Sequence, residues 1–436
     1  MKITIAVHHF PPNFRGGAEL LAYRSARELQ KRGWQVDVVC IEHIDRGPVN
    51  AVAWRDDECD GLPVHRLDFD LAAAADPWRW SYDNPWIGEH LETWWKANRP
   101  DVVLLIGGYL LTASVLFAAR RLSIPAAVRL TDFWFLCPRI TLLRSDGSLS
   151  KPPIDPVRCA QCLGEESRRY RVSGQLFPAW MRRYWRTRTA AADRIRSRTQ
   201  LLREALDIPR VLITESAFLR DVFVDAGVSA SRFVQIRQGT DPIFVPGPEP
   251  SPSRLLRVGY FGQLIPAKGV HVLIDAVHRQ PELALRLDLF GDTSRMPDYT
   301  LPLQRKTAAD ARVRWRGLLR DPRAIRDALH DLDVVCVPSV WYENSPNAIL
   351  EALAAGVPVV TSNLGGMAEL VQHGINGLLF PPGDATALGE QLRNLATTPG
   401  LSLRLRSGIN PPKTTQNEVD ELESILQSVA RNDWGV

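Results

Sequence analysis

One local pattern recurs along the chain and limits what it can fold into. A short run of aliphatic residues is followed by a glycine-bearing loop, then a segment with helical spacing, then a second aliphatic run. Residues 3–7 (ITIAV) form the first run, and the loop carries Pro11, Pro12, Gly16 and Gly17. Residues 18–32 have helical spacing that stops at Gly33, and QVDVVCIE resumes as a strand. Strand, loop, helix, strand is the βαβ unit, and strands that are apolar along their whole length need helices on both faces of a parallel sheet. Further strands are expected at 102–106, 126–130 and 211–213. The pattern restarts after the proline-rich stretch PIFVPGPEPSPS (242–253), with LLRVGYFG, LRLDLFG, DLDVVCVPS and VPVVTSN as strands and helical segments near 269–279, 321–330 and 346–355. The expectation is an α/β protein with two doubly wound domains. The first covers 1–241, the linker 242–253, the second 254–410, and a helical segment at 411–436 returns to the first domain.

The length of 436 residues suits two or three domains of about 100–200 residues each. A net charge of +4 is too small to argue for nucleic acid, and none is expected as a partner. The cations are unevenly placed, however. Between 166 and 210 a long series of arginines from Arg168 to Arg210 faces only Glu166, Asp193, Glu204 and Asp207, and FPAWMRRYWRTR mixes aromatic rings with cations. Such a segment suits an anionic membrane surface. The N-terminal apolar run is too short for a secretory signal, so the expected location is cytoplasmic, with peripheral contact at the inner face of a membrane. Residues 102–119 are uncharged and reach a spanning length, but Gly107 and Gly108 interrupt them, and a strand, a turn and a core helix are expected. Cys137, Cys159 and Cys162 include a C-x-x-C step, a common half-site for zinc, and a structural zinc is expected there with no fourth ligand identified. Trp78, Trp80, Trp86, Trp94 and Trp95 lie close together and offer faces for stacking on a sugar acceptor.

Open parallel sheets bind ligands at the carboxyl ends of their strands, so two facing domains would share a cleft. No G-x-G-x-x-G follows the first strand and no phosphate-binding G-x-x-x-x-G-K-[ST] occurs, which removes support from dehydrogenase and P-loop readings. The richest segment is SVWYENSPNAILEALAAGVPVVTSNLGGMAEL, residues 339–370. Ser345 followed by Pro346 predicts a helix start, with serine as cap and proline in the first turn. Amides near Asn344, Ser345 and Asn347 would face a phosphate or diphosphate. Glu343 outside the helix and Glu351 within it could each accept hydroxyl hydrogen bonds, as a ribose and a sugar require.

These residues resemble the donor domain of the large retaining family of GT-B glycosyltransferases, which includes phosphatidylinositol mannosyltransferases and bacterial polysaccharide glycosyltransferases. Glu343 and Glu351 stand as E-x7-E, followed by EALAAGVPVVTSNLGGMAEL and HGINGLLFPPGD. PPNFRGGAELLAYRSARELQKRGWQVDVV, QGTD (238–241) and YFGQLIPAKGVHVLIDA agree with other parts of the family, so the resemblance spans almost the whole chain. It implies a GT-B fold of two Rossmann-like domains and transfer of a sugar from a UDP- or GDP-linked donor. The acceptor would be a saccharide or lipid-linked saccharide, in polysaccharide or glycolipid synthesis, with retention and no cofactor required for catalysis. It further implies that Glu351 holds the ribose, Glu343 the transferred sugar and Lys268 the diphosphate, and that Gly16 and Gly17 allow close backbone approach. Asp132 joins Glu343 and Lys268 as the expected catalytic set.

Two positions depart from the family pattern. Gln263 stands where an arginine is usual, so a cation on the leaving diphosphate is missing, and Arg257 is a candidate to compensate. Thr131 precedes Asp132 where the family often reads His-Asp. Those departures motivate a non-catalytic nucleotide-sugar-binding scaffold as the competing reading, beside an epimerase or a phosphorylase of the same architecture.

Overall fold

The computed structural model describes residues 1–248 and 255–433, so part of the expected linker 242–253 lies outside the described residues. The chain divides into two units, Met1–Arg237 with Glu418–Val436, and Gln238–Asn417. The first boundary therefore falls at Arg237, a few residues before 241. Residues 242–248 belong to the second unit, where Phe244 is buried in the core.

Among the described residues the first unit holds eight strands: β1 Lys2–Val7, β2 Gln35–His43, β3 Ala53–Cys59, β4 Leu62–Asp68, β5 Val102–Ile106, β6 Ala126–Leu130, β7 Val211–Thr214 and β8 Phe233–Gln235. Their order is β3-β4-β2-β1-β5-β6-β7-β8, parallel throughout except for the antiparallel β3–β4 hairpin. Ile3, Ile5 and Val7 pack with Val36, Val38 and Cys40 against Leu21 and Leu29 of the helix Gly17–Lys31. Each such aliphatic side chain contributes about 1.5–3 kcal/mol when fully buried. The helix Thr415–Arg431 completes this core with Val419, Leu422 and Leu426. Arg129, fully buried on β6, anchors that helix through Glu418 at 2.5 Å and also pairs with Glu215 at 3.2 Å.

Between β6 and β7 the basic region folds into four helices: Pro156–Gly164, Arg168–Leu176, Pro178–Arg186 and Thr189–Leu206. They enclose a small core of their own from Ala160, Met181, Trp185 and Ile195. Residues 102–119 form β5, a turn in which Gly107 has φ 69°, and the start of the helix Ser114–Arg121. Among the described residues no helix is long and apolar enough to cross a membrane.

Among the described residues the second unit has six parallel strands: β9 Leu256–Phe261, β10 Leu285–Phe290, β11 Val313–Gly317, β12 Val334–Val337, β13 Val359–Ser362 and β14 Gly377–Phe380. Their order is β11-β10-β9-β12-β13-β14. In each unit the winding reverses once, between β1 and β5 in the first and between β9 and β12 in the second. Loops leaving adjacent strands at such a reversal splay apart and open a crevice.

Candidate functional site

In the second unit the loops that follow β9 and β12 meet at that reversal. The turn Pro266–Lys268 ends at Gly269, whose φ is 72° and where an added Cβ would lie 1.9 Å from the Pro338 carbonyl oxygen, so only glycine fits. The Val340 amide donates to the Ala267 carbonyl at 2.9 Å and ties the two loops together. Lys268 Nζ thereby reaches Glu343 Oε1 at 2.6 Å, and the same oxygen accepts from Ser339 Oγ at 2.7 Å and Trp341 Nε1 at 2.9 Å. The ammonium also lies 5.4 Å from the Trp341 ring centroid. Glu343 is buried, and its backbone carbonyl accepts from the Gly366 amide at 2.8 Å. A Cβ at Gly366 would fall 1.8 Å from the Asn344 carbonyl oxygen.

The helix that carries Glu351 starts at Asn347, with Pro346 in extended conformation as its cap and no side-chain cap bond. The expected arrangement of Ser345 as cap and Pro346 in the first turn is thus displaced by one residue. Asn344 is buried, Ser345 is partly exposed, and Asn347 Oδ1 accepts from Gln238 Nε2 at 2.6 Å. Glu351 lies one turn into the helix and is partly exposed.

Gln263 follows β9, and its carbonyl accepts the Tyr260 hydroxyl at 2.7 Å. Burial, with the Glu343 charge adding to it, pushes the Tyr260 phenol well above its usual range, so it remains a donor. Arg257 does not compensate for Gln263. It sits near the amino end of β9, about 16 Å of strand from Gly262, and is engaged by Asp333 at 2.8 Å.

The first unit gathers polar groups at the carboxyl ends of β1, β5 and β6. His8 Nε2 lies 3.3 Å from Glu19 Oε1. Burial alone would raise the Glu19 carboxyl, but its bond to His8 and the His8 charge outweigh that and hold it below the usual range. Gly16 caps the helix Gly17–Lys31 without a side-chain bond, and a Cβ there would meet Glu19 Oε2 at 2.5 Å, whereas Gly17 faces open space. Asp132 accepts from the Trp134 amide at 2.8 Å, and burial raises its carboxyl despite that bond and the charges of His8 and Arg198. Thr131 Oγ1 and His8 Nδ1 are buried atoms without a hydrogen-bond partner among the described residues. His8, Glu19, Ser339 and Trp341 were not among the expected site residues. The pair HH after the first strand and the tryptophan before E-x7-E were the available signals.

Cys137, Cys159 and Cys162 line one cavity of about 20 Å³, room for roughly one water-sized group. Among the described residues no group of three or more His, Cys, Asp or Glu side chains is disposed to hold an ion. Burial pushes the Cys137 thiol up and the Cys159 thiol to about 12, so both are protonated at neutral pH. Of the clustered tryptophans, Trp86 and Trp95 are buried in the core, and Trp94 stacks on His65 at 4.4 Å.

Two doubly wound units, each with charged side chains at its strand reversal, define a GT-B protein. Residues 16–239 match the family described as glycosyl transferase 4-like domain, and residues 256–398 match glycosyl transferases group 1. The first match alone covers more than half of the chain, which belongs to this family. A glycogen synthase of Mycobacterium tuberculosis is 32% identical over 200 residues, 44% of this chain and 47% of the relative. A D-inositol 3-phosphate glycosyltransferase of Kribbella flavida is 30% identical over 192 residues, 40% and 45% of the two chains. The matches thus span less than half the length of these curated relatives. The fold is shared over 100% of both chains with Anabaena HepE in complex with UDP and glucose, at a TM-score of 0.63 and 20% identity. Sucrose-phosphate synthase from Thermosynechococcus elongatus gives a TM-score of 0.64 at 17% identity, covering 99% of this chain and 96% of that one.

Proposed function

We propose that the protein transfers a sugar from a UDP- or GDP-linked donor to a saccharide or lipid-linked saccharide, with retention of configuration and without a metal, in cell-surface polysaccharide or glycolipid synthesis. The observation that carries this reading is the Lys268–Glu343 cluster at the strand reversal of the second unit. A donor entering there would exchange the Lys268–Glu343 contact for two new ones, ammonium to diphosphate and carboxylate to sugar hydroxyls. Glu351 would hold the ribose diol, and the amides of Asn344, Ser345 and Asn347 would add to the charge on the diphosphate side, beside Gln263. Charge builds on the diphosphate oxygen as its bond to the anomeric carbon breaks, and Lys268 stabilises it. The acceptor oxygen bonds to that carbon on the same face and passes its proton to the departing phosphate. In the first unit Gly16, Gly17, Thr131 and Asp132 would meet the sugar and the acceptor. The binding of UDP and glucose by HepE supports the choice of donor class. We place the reaction in the cytoplasm, at the inner face of a membrane where the acceptor is lipid-linked.

A thermal-shift screen of nucleotide sugars tests the reading, because a ligand that binds only the native state raises its melting temperature. The best donor should raise it, and Glu351→Ala should abolish the rise; a full shift in that variant removes the ribose assignment. Tight nucleotide binding with no turnover of any sugar donor would instead identify a scaffold.

A further inference from the structure

The helices Arg168–Leu176 and Pro178–Arg186 meet at Phe177, and the surface of their corner differs from the rest of the protein. Val172, Leu176, Phe177 and Trp180 are exposed by 42%, 66%, 62% and 61%. Elsewhere among the described residues, nine successive positions expose at most two large apolar side chains. The corner is not a helix that failed to find a core, because Met181 and Trp185 on the other side of the second helix are buried with Ala160 and Ile195. Around it stand Arg168, Arg169 and Arg171 on one helix and Arg182, Arg183 and Arg186 on the other, all exposed. None of the six forms an ion pair among the described residues, and residues 167–192 contain no Asp or Glu.

We infer that this corner is a docking device for an anionic lipid surface, with Val172, Leu176, Phe177 and Trp180 entering the headgroup–acyl boundary and the arginines lying at the phosphates. Two unmet demands coincide here, cations without anions and apolar tips without cover. A bilayer meets both at the right depths, because arginine keeps its head at the phosphate level while its stem lies along apolar groups. A nucleic acid would answer the charge and could stack on Phe177 and Trp180, but it would leave the aliphatic tips of Val172 and Leu176 without cover. The module is also joined to the candidate site of its own unit. Arg198, buried on the next helix, donates to the Trp134 carbonyl and lies 5.3 Å from its ring, and the Trp134 amide holds Asp132. Docking at the corner would therefore fix the loop that bears Asp132 relative to a lipid surface.

The test is co-sedimentation of the full chain with vesicles of phosphatidylcholine alone or with about a third phosphatidylglycerol, with no donor or acceptor present. Binding is expected to the anionic vesicles at low salt, weakened roughly tenfold at about 0.5 M salt. The exposed-residue variant Phe177→Ser with Trp180→Ser should keep its melting temperature and lose about tenfold in partitioning. In Trp180→Phe, binding should persist while quenching by brominated lipid falls. Equal binding to neutral and anionic vesicles, or unchanged partitioning of the double serine variant, would overturn the inference. So would binding to single-stranded RNA in preference to the anionic vesicles. A protein that docks but turns over no donor would leave this inference standing and remove the proposed reaction.

Discussion

The two strand reversals solve the same problem of placing charge at a crevice, and they do it differently. In the second unit one carboxylate oxygen, on Glu343, takes three donors from Lys268, Ser339 and Trp341, and glycines at 269 and 366 allow the backbones to touch. In the first unit His8 Nδ1 and Thr131 Oγ1 have no partner among the described residues, and the charge is stored one layer below, where buried Arg129 serves both Glu215 and Glu418. Ser362, at the end of β13, is the second unit's comparable buried hydroxyl, one strand further from its reversal. A self-satisfied cluster is rigid before any ligand arrives and suits one invariant partner. Unmatched groups cost folding energy and suit a partner that supplies the missing bonds. On the proposed reading, the difference fits a fixed donor at the second unit and a variable acceptor at the first.

The largest test of that contrast is Lys268→Ala, which removes the only basic side chain bonded to Glu343 among the described contacts. Loss of one charge-stabilising donor commonly costs about 10²–10³ in kcat, or roughly 3–4 kcal/mol. The expected result is a fall of that size in kcat with acceptor KM unchanged. A change confined to acceptor KM would break the division of labour.

The buried triad gives the next effect. Two carboxylates share one guanidinium, and burial raises the Glu215 carboxyl from its ordinary 4.5 to about 7, opposed by Arg129 and reinforced by Glu418. Below pH 4.5 the proton is held in both folded and unfolded chains. As pH rises from 4.5 to 7 the unfolded chain releases it first, so the folded chain binds more protons and stability falls, by about 3 kcal/mol over that window. Denaturant unfolding across pH 4.5–7 should show this slope in the wild type and lose most of it in Glu215→Gln. An equal slope in both would place the titration elsewhere.

How far this contrast could be read from the sequence differed between its two halves. Lys268 and Glu343 were legible because each follows a run of apolar residues that marks a buried strand, and because their motifs sit close to those strands. The β3–β4 hairpin was not, since AWRDDEC is almost wholly exposed at a sheet edge and has no apolar alternation to reveal it. Arg129 looked like an ordinary strand residue, and its two carboxylate partners lie 86 and 289 positions away, a pairing no local pattern encodes. The basic region announced its charge but not its four helices, whose stability rests on Met181 and Trp185 meeting Ala160 and Ile195. The helix start at 345–346 was misplaced by one residue because proline serves equally as the last extended residue before a helix.

The smallest expected effect is the sharpest for the first unit. Thr131 Oγ1 is buried without a partner among the described residues, and an added Cβ on Gly107 would lie 3.2 Å from it. A hydroxyl that is paired in the folded chain costs about 1–3 kcal/mol to delete, because its partner is left unsatisfied. One that is unpaired costs nothing to delete, and its removal spares desolvation. Thr131→Val keeps the branched shape and removes only the polar atom, so stability should stay level or rise by about 1 kcal/mol. If the hydroxyl waits for a ligand, acceptor KM should rise in the same variant while the donor-induced thermal shift stays as in the wild type. A loss of more than about 1 kcal/mol with unaltered acceptor kinetics would mean that Thr131 is bonded within the fold, and the first unit would then be as self-satisfied as the second.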